Sequence, residues 1–147
     1  MYEVFERSIE LTERYPDSKI QLTHDQRSKA RLKTVNDDGV EVRLFLDHGK
    51  ALNVGEYLKT NCGKILRVDG AVEPVARAFC TDWHTFSRAC YHLGNRHVKV
   101  QVGDLSLRMT PDHVLEEMLI SLGLTVVHEN AVFIPENGAY HSSHSHA

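Results

Sequence analysis

Val98-Lys99-Val100-Gln101-Val102 alternates apolar and polar residues, Gly103-Asp104 turns the chain, and Leu105-Ser106-Leu107-Arg108-Met109 alternates again. This is the pattern of a hairpin with one buried face. Upstream, Asp82 to about Leu93 reads as a helix, with Thr81 or Asp82 as the cap and Trp83, Phe86, Cys90 and Leu93 on one apolar stripe. Before it, Glu73 to Cys80 reads as a strand. Downstream, Thr110 is expected to cap a second helix with Pro111 at its first position, where the missing N–H costs nothing. Leu115, Met118, Leu119 and Leu122 form that helix's stripe, Gly123 ends it, and Leu124 to Val127 supplies one more strand. The order strand, helix, strand, strand, helix, strand predicts a ferredoxin-like βαββαβ domain over residues 73–135, with both helices on one face of an antiparallel sheet.

Residues 1–72 carry short alternating runs between turn residues and predict a small all-β domain, so the fold class is α+β. In Arg27-Ser28-Lys29-Ala30-Arg31-Leu32-Lys33-Thr34 every odd position is a cation, which gives a strand one basic face. That face reads either as solvated surface or as a docking surface for a protein partner. Asn36-Asp37-Asp38-Gly39 is a hairpin turn into Val40 to Leu46, and Asp47-His48-Gly49-Lys50 is the next turn. Residues 136–147 form a polar, flexible tail that holds His141, His144 and His146.

In the 147 residues, 17 Lys and Arg stand against 20 Asp and Glu. Without a basic excess, a nucleic-acid partner is not expected. No run approaches the ~20 apolar residues of a membrane helix and the start lacks a basic-then-apolar leader, so a cytoplasmic protein without membrane partner is expected. Cys62, Cys80 and Cys90 are odd in number and lack C-x-x-C spacing, which fits buried small hydrophobes better than a disulfide framework or a zinc site. Ten histidines are the compositional outlier. By pattern alone, His97 only follows a helix, where a cation interacts favourably with the C-terminus, and His113 lies in the first turn of the next helix as either a ligand or a surface residue.

Cys90-Tyr91-His92-Leu93-Gly94-Asn95-Arg96-His97 resembles the signature of UreE-type urease accessory proteins. The resemblance runs on through Asp112-His113-Val114-Leu115-Glu116-Glu117-Met118-Leu119, Gly123-Leu124 and Gly138-Ala139-Tyr140 into the His-bearing tail. It is looser in the N-terminal half, where Asp47-His48-Gly49 stands in place of a Pro-Arg-Gly sequence of many members. The resemblance implies a nickel metallochaperone, not an enzyme: a homodimer that delivers Ni(2+) to apo-urease with an accessory GTPase and the urease apoprotein-accessory complex. It implies a partner or peptide-binding role for residues 1–72, and metal binding and dimerisation for 73–135. It further implies that His97 of each chain binds one shared ion. Some relatives carry a further His where Pro111 stands here.

The expected metal ligands are therefore His97, His113, His141, His144 and His146. Neutral imidazoles suit nickel and reject magnesium and calcium, which prefer oxygen, but cannot by affinity alone exclude Zn(2+) or Cu(2+). Two histidines from facing chains leave an incomplete shell, which suits a donor that must release its ion. A tethered tail presents its imidazoles at millimolar-scale effective concentration, so it can complete the shell. A metal buffer that never delivers would need the same labile ligands. A metallohydrolase would need a general base at a spacing such as H-E-x-x-H, which His113 with Glu116 and Glu117 does not have.

Overall fold

The computed structural model describes residues 1–7, 15–47 and 49–137. His48 and the tail histidines 141, 144 and 146 lie outside the described residues. The chain divides into two compact units, Met1–Ala71 and Val72–Ala147.

The first unit holds two three-stranded sheets. One has the order β1 (Tyr2–Val4), β4 (Glu41–Phe45), β3 (Arg31–Val35), and the other β2 (Ser18–Leu22), β6 (Ile65–Gly70), β5 (Tyr57–Lys59). Alternation decides which side chains go inside: in β2, Ser18, Ile20 and Leu22 are buried while Lys19 and Gln21 are exposed. Ile20, Leu22, Val42, Leu44, Leu58, Leu66 and Val68 form the core. The expected turn at Asn36 to Gly39 is present: Asn36 Oδ1 accepts from the N–H groups of Asp38 and Val40, and Gly39 takes φ 80°.

Two expectations for this unit need correction. It is not purely β, because α1 (His24–Arg27) follows β2. Thr23 and Gln26 form a reciprocal capping box that starts this single turn. Arg27 therefore leaves the basic strand face; it is buried and donates to the Leu22 carbonyl at 2.7 Å. Only Arg31 and Lys33 remain on the strand itself. Nor is Cys62 buried: it is exposed, and its contact with the Thr60 hydroxyl holds its thiol below the usual range.

In the second unit the order is β7 (Val72–Phe79), α2 (Trp83–Asn95), β8 (Gln101–Val102), β9 (Ser106–Met109), α3 (His113–Leu122), β10 (Thr125–Val132). The sheet order is β10-β7-β9-β8, antiparallel throughout. Ala76 and Ala78 of β7 and Leu107 and Met109 of β9 meet Phe86, Ala89 and Leu93 of α2 and Leu119 of α3 in one core. Small Ala side chains in the central strand leave room for the larger helix residues. Trp83 falls outside this core, 56% exposed, edge-on to Phe86.

α2 is capped by Asp82, whose carboxylate accepts from the Thr85 N–H at 2.9 Å. α3 starts later than expected. Asp112, not Thr110, is its cap: the Asp112 carboxylate accepts from the Leu115 N–H at 3.0 Å, and Glu116 reaches back to the Asp112 N–H at 2.8 Å. A carboxylate with a reciprocal partner is the stronger cap, so Thr110-Pro111 stays outside the helix.

Candidate metal centre

The end of α2 is where the sequence places its main ligand. Arg96 caps the helix at φ −97°, ψ 8°, and the next residue, His97, takes φ 58°. The Val98 N–H reaches back to the Leu93 carbonyl at 3.1 Å and the His97 N–H to the Gly94 carbonyl at 3.0 Å. These two bonds are the Schellman closure, in which the residue after the cap is left-handed and is usually Gly. Leu93 belongs to the core and Val98 packs against that core, the apolar seating such a closure favours. A left-handed backbone is uncommon for a residue with a Cβ, although His is among the more tolerant. His97 is thus fixed by backbone geometry and is exposed to solvent.

Asn95 and Arg96 stand just before His97 in this loop. Arg96 braces it, its guanidinium donating to the His92 carbonyl at 3.1 Å, but the loop's shape comes chiefly from the two backbone bonds. Tyr91 and His92 lie edge-to-face at 5.3 Å between centroids.

His97 lines a groove of about 380 Å³ together with Cys90, Gly94, Val98, Val100 and Glu136. Burial raises the Cys90 thiol above its ordinary range, so it stays protonated beside this groove. Neither Cys90 nor Glu136 was singled out from sequence. Cys90 reads as part of a helix stripe, as a buried small hydrophobe and as the first residue of the family-like segment, but not as a site residue, and Glu136 arrives by a crossing that no periodicity records. That crossing follows β10: the Ile134 N–H donates to Gln101 Oε1 at 2.9 Å and the Glu136 N–H to the Val100 carbonyl at 2.8 Å. The chain is therefore pinned beside β8, on the groove of His97, at the first residue of the expected tail.

His113 is the first residue of α3 and is highly exposed. Its Nε2 lies 3.2 Å from Glu117 Oε1, a pair that carries charge only when the imidazole is protonated. Gln101 of β8 faces Arg108 of β9. The antiparallel ladder thus puts the entry to β8, four residues after His97, and the exit from β9, four residues before His113, at one end of the sheet. Among the described residues no group of three or more His, Cys, Asp or Glu stands together to hold a metal ion. His128 contacts Glu116 Oε1 through Nε2 at 2.5 Å. No described helix is long and apolar enough to cross a membrane.

Comparison with known proteins finds matches to both units of the chain. Residues 6–70 match the family described as UreE urease accessory protein, N-terminal domain, and residues 73–147 match its C-terminal domain. The chain is similar to proteins named urease accessory protein UreE in three organisms. It is 61% identical to that of Marinomonas sp. (strain MWYL1) over 127 residues, 86% of each chain. It is 50% identical to that of Alteromonas mediterranea over 131 residues, 88% of this chain and 85% of the relative. To that of Psychromonas ingrahamii it is 47% identical over 150 residues, 100% of this chain and 98% of the relative.

Proposed function

Because the chain belongs to the UreE family of urease accessory proteins, which are accessory chaperones in urease maturation and not enzymes, we propose that it delivers nickel(II) to apo-urease from a site shared across a homodimer. The observation that carries this reading is the His97 side chain, held outward by a left-handed backbone at the rim of a groove. One imidazole supplies one donor. An ion bound there takes its other ligands from a second chain, from the tail or from water, and such a shell is open to exchange.

Gly94 supports the shared site. It sits in the last turn of α2, its φ is not left-handed, and a Cβ built on it would meet nothing within 4 Å. A helical Gly costs about 0.5–1 kcal/mol relative to Ala, and nothing within the protomer calls for it. The bare backbone beside His97 suits close approach by a second copy of the chain. In this reading residues 73–135 bind metal and dimerise with a ferredoxin-like topology, and residues 1–72 bind a partner such as the accessory GTPase. Residues 136–147 carry the helper ligands His141, His144 and His146. The pinning of Glu136 at Val100 supports that last role, because the tail starts at the His97 groove. His113 joins as a ligand when its bond to Glu117 opens. Zn(2+) and Cu(2+) compete for the same donors, and the maturation complex sets the choice of nickel in the cytoplasm.

Reconstitution tests delivery. Nickel-loaded protein is expected to activate apo-urease with the other accessory proteins under limiting free metal, and equal activation by the same total of free nickel would leave only a buffer. Calorimetry tests the site: His97→Ala is expected to remove the tightest nickel, and retention of one high-affinity ion per dimer would refute it.

A further inference from the structure

In the first unit, β3 and β2 are both edge strands of their sheets. The Asn36 N–H donates to the Val40 carbonyl and the Leu46 N–H to the Ala30 carbonyl, which fixes the hydrogen-bonded positions of the β3–β4 ladder as 30, 32, 34 and 36. The N–H and C=O groups of Arg31, Lys33 and Val35 therefore point away from β4, to the open edge. On β2, both backbone polar groups of Lys19 turn away from β6: its carbonyl accepts from the Asp37 N–H at 3.0 Å, and its N–H donates to Asp37 Oδ1 at 3.0 Å. By the same alternation Gln21 points its N–H and C=O the same way. The two sheets are thus zipped at Asp37 and part beyond it. The gap is a depression of about 380 Å³ lined by Lys19, Gln21, Thr34, Val35, Asp37 and Asp69.

An unpaired strand edge is a template for another strand. The charges beside this one specify which. Asp69 is held by Arg67 at 2.7 Å and Asp37 by the Lys19 N–H, so the carboxylates lining the gap are engaged. Among the described residues Lys33 has one partner, Glu41 at 3.2 Å, on the neighbouring strand. Arg31 is exposed and, among the described residues, makes no ion pair or hydrogen bond. Val35 beside them is 57% exposed.

We propose that the open edge of β3 binds an extended acidic segment of a partner protein as an added strand, with carboxylates at alternate positions set against Arg31 and Lys33 and its end entering the gap beside Gln21. The segment spans about five residues, or ~17 Å at 3.4 Å per residue. Backbone pairing gives the register, and the two cations select for acidity. The proposal deepens the partner-binding role assigned above to the first unit and is independent of metal.

The test uses the full chain with a chelator present and two blocked heptapeptides, TEVEVET and TKVKVKT. The acidic peptide is expected to bind, to weaken as salt rises, and to slow hydrogen exchange at the Arg31, Lys33, Val35 and Gln21 amides. Arg31→Glu with Lys33→Glu is expected to weaken it at least about tenfold and to transfer the preference to the lysine peptide. Lys33→Pro removes an edge N–H that β4 does not use, so it is expected to abolish binding with the fold intact; where it fails to fold, the charge reversal decides. Equal binding of the two peptides, protection elsewhere, or no binding at millimolar peptide overturns the proposal. If purified accessory GTPase still binds the first unit after the charge reversal, the partner role survives and the strand slot alone falls.

Discussion

The two long helices of the second unit end in the same backbone motif built from different residues. At the end of α3, the Leu124 N–H reaches the Leu119 carbonyl at 3.0 Å and the Gly123 N–H the Ile120 carbonyl at 3.0 Å, with Gly123 at φ 109°. At the end of α2 the same pair of bonds forms around His97 at φ 58°. Gly is the residue physics favours at such a position, and α3 has it. α2 carries an imidazole there instead, exposed and at a groove. The difference teaches that stability alone does not account for the α2 terminus. A left-handed backbone costs an L-residue about 1–2 kcal/mol, less for a tolerant one such as His, and a rigid turn that aims a donor outward is a use that offsets it.

Changing His97 breaks the comparison most strongly. His97→Gly and His97→Ala are both expected to lose the tightest nickel, the largest effect predicted for any single change. They are expected to part company in stability. His97→Gly relieves the left-handed backbone and, since the side chain is exposed, sacrifices little packing, so the metal-free protein should gain up to about 1 kcal/mol. His97→Ala should gain nothing. Urea midpoints of the metal-free variants measure this, and equal midpoints for Gly and Ala would mean that the turn is not strained.

The two helix-end glycines sharpen the comparison because they should respond with opposite signs. Gly123→Ala puts a Cβ at φ 109°, where the nearest atom, Thr85 Cγ2 at 3.7 Å, is in ordinary contact. The cost is then backbone conformation alone, about 1 kcal/mol, with nickel binding unchanged. Gly94→Ala meets nothing in the protomer and should stabilise the isolated fold by up to about 1 kcal/mol. It should also weaken dimer association and nickel binding together, read by sedimentation with and without metal. Tighter association after Gly94→Ala would remove the support that this residue lends to the shared site.

How much of this was legible in the sequence depends on the range of the signal. Helices, strands and their order in the second unit follow from periodicity near each residue, and that order was readable. In the first unit β1 pairs with β4 and β2 with β6, both parallel and far apart in sequence, which alternation cannot specify. The capping box at Thr23 and Gln26 was a local signal overlooked, and it moved Arg27 from a basic strand into a buried turn. At the candidate site, the resemblance picked out His97, but its left-handed backbone had no signature because the sequence signal for that turn is Gly. The crossing that brings Glu136 to Val100 was also invisible, since a strap without periodicity leaves no pattern.

The smallest expected effect concerns the other end of α2. Asp82 caps that helix, and the Thr85 N–H, its largest influence, holds the carboxylate below its ordinary value of 3.8. A carboxyl whose folded value is depressed contributes stability that is complete above the unfolded value and lost as pH falls through the folded one. The contribution of Asp82 should therefore be intact at neutral pH, begin to fade as pH falls below the ordinary value of 3.8, and be gone once pH has passed the depressed folded value, where the Thr85 N–H faces a neutral acid. Asp82→Asn keeps an acceptor for the N–H without titrating, so its stability should fall less steeply in that acid window, with only a slight loss at pH 7. Thermal unfolding of both proteins in steps from pH 5 to 3, without metal, reads the difference. Parallel curves would mean that the cap does not link α2, and the His97 turn at its far end, to acid unfolding.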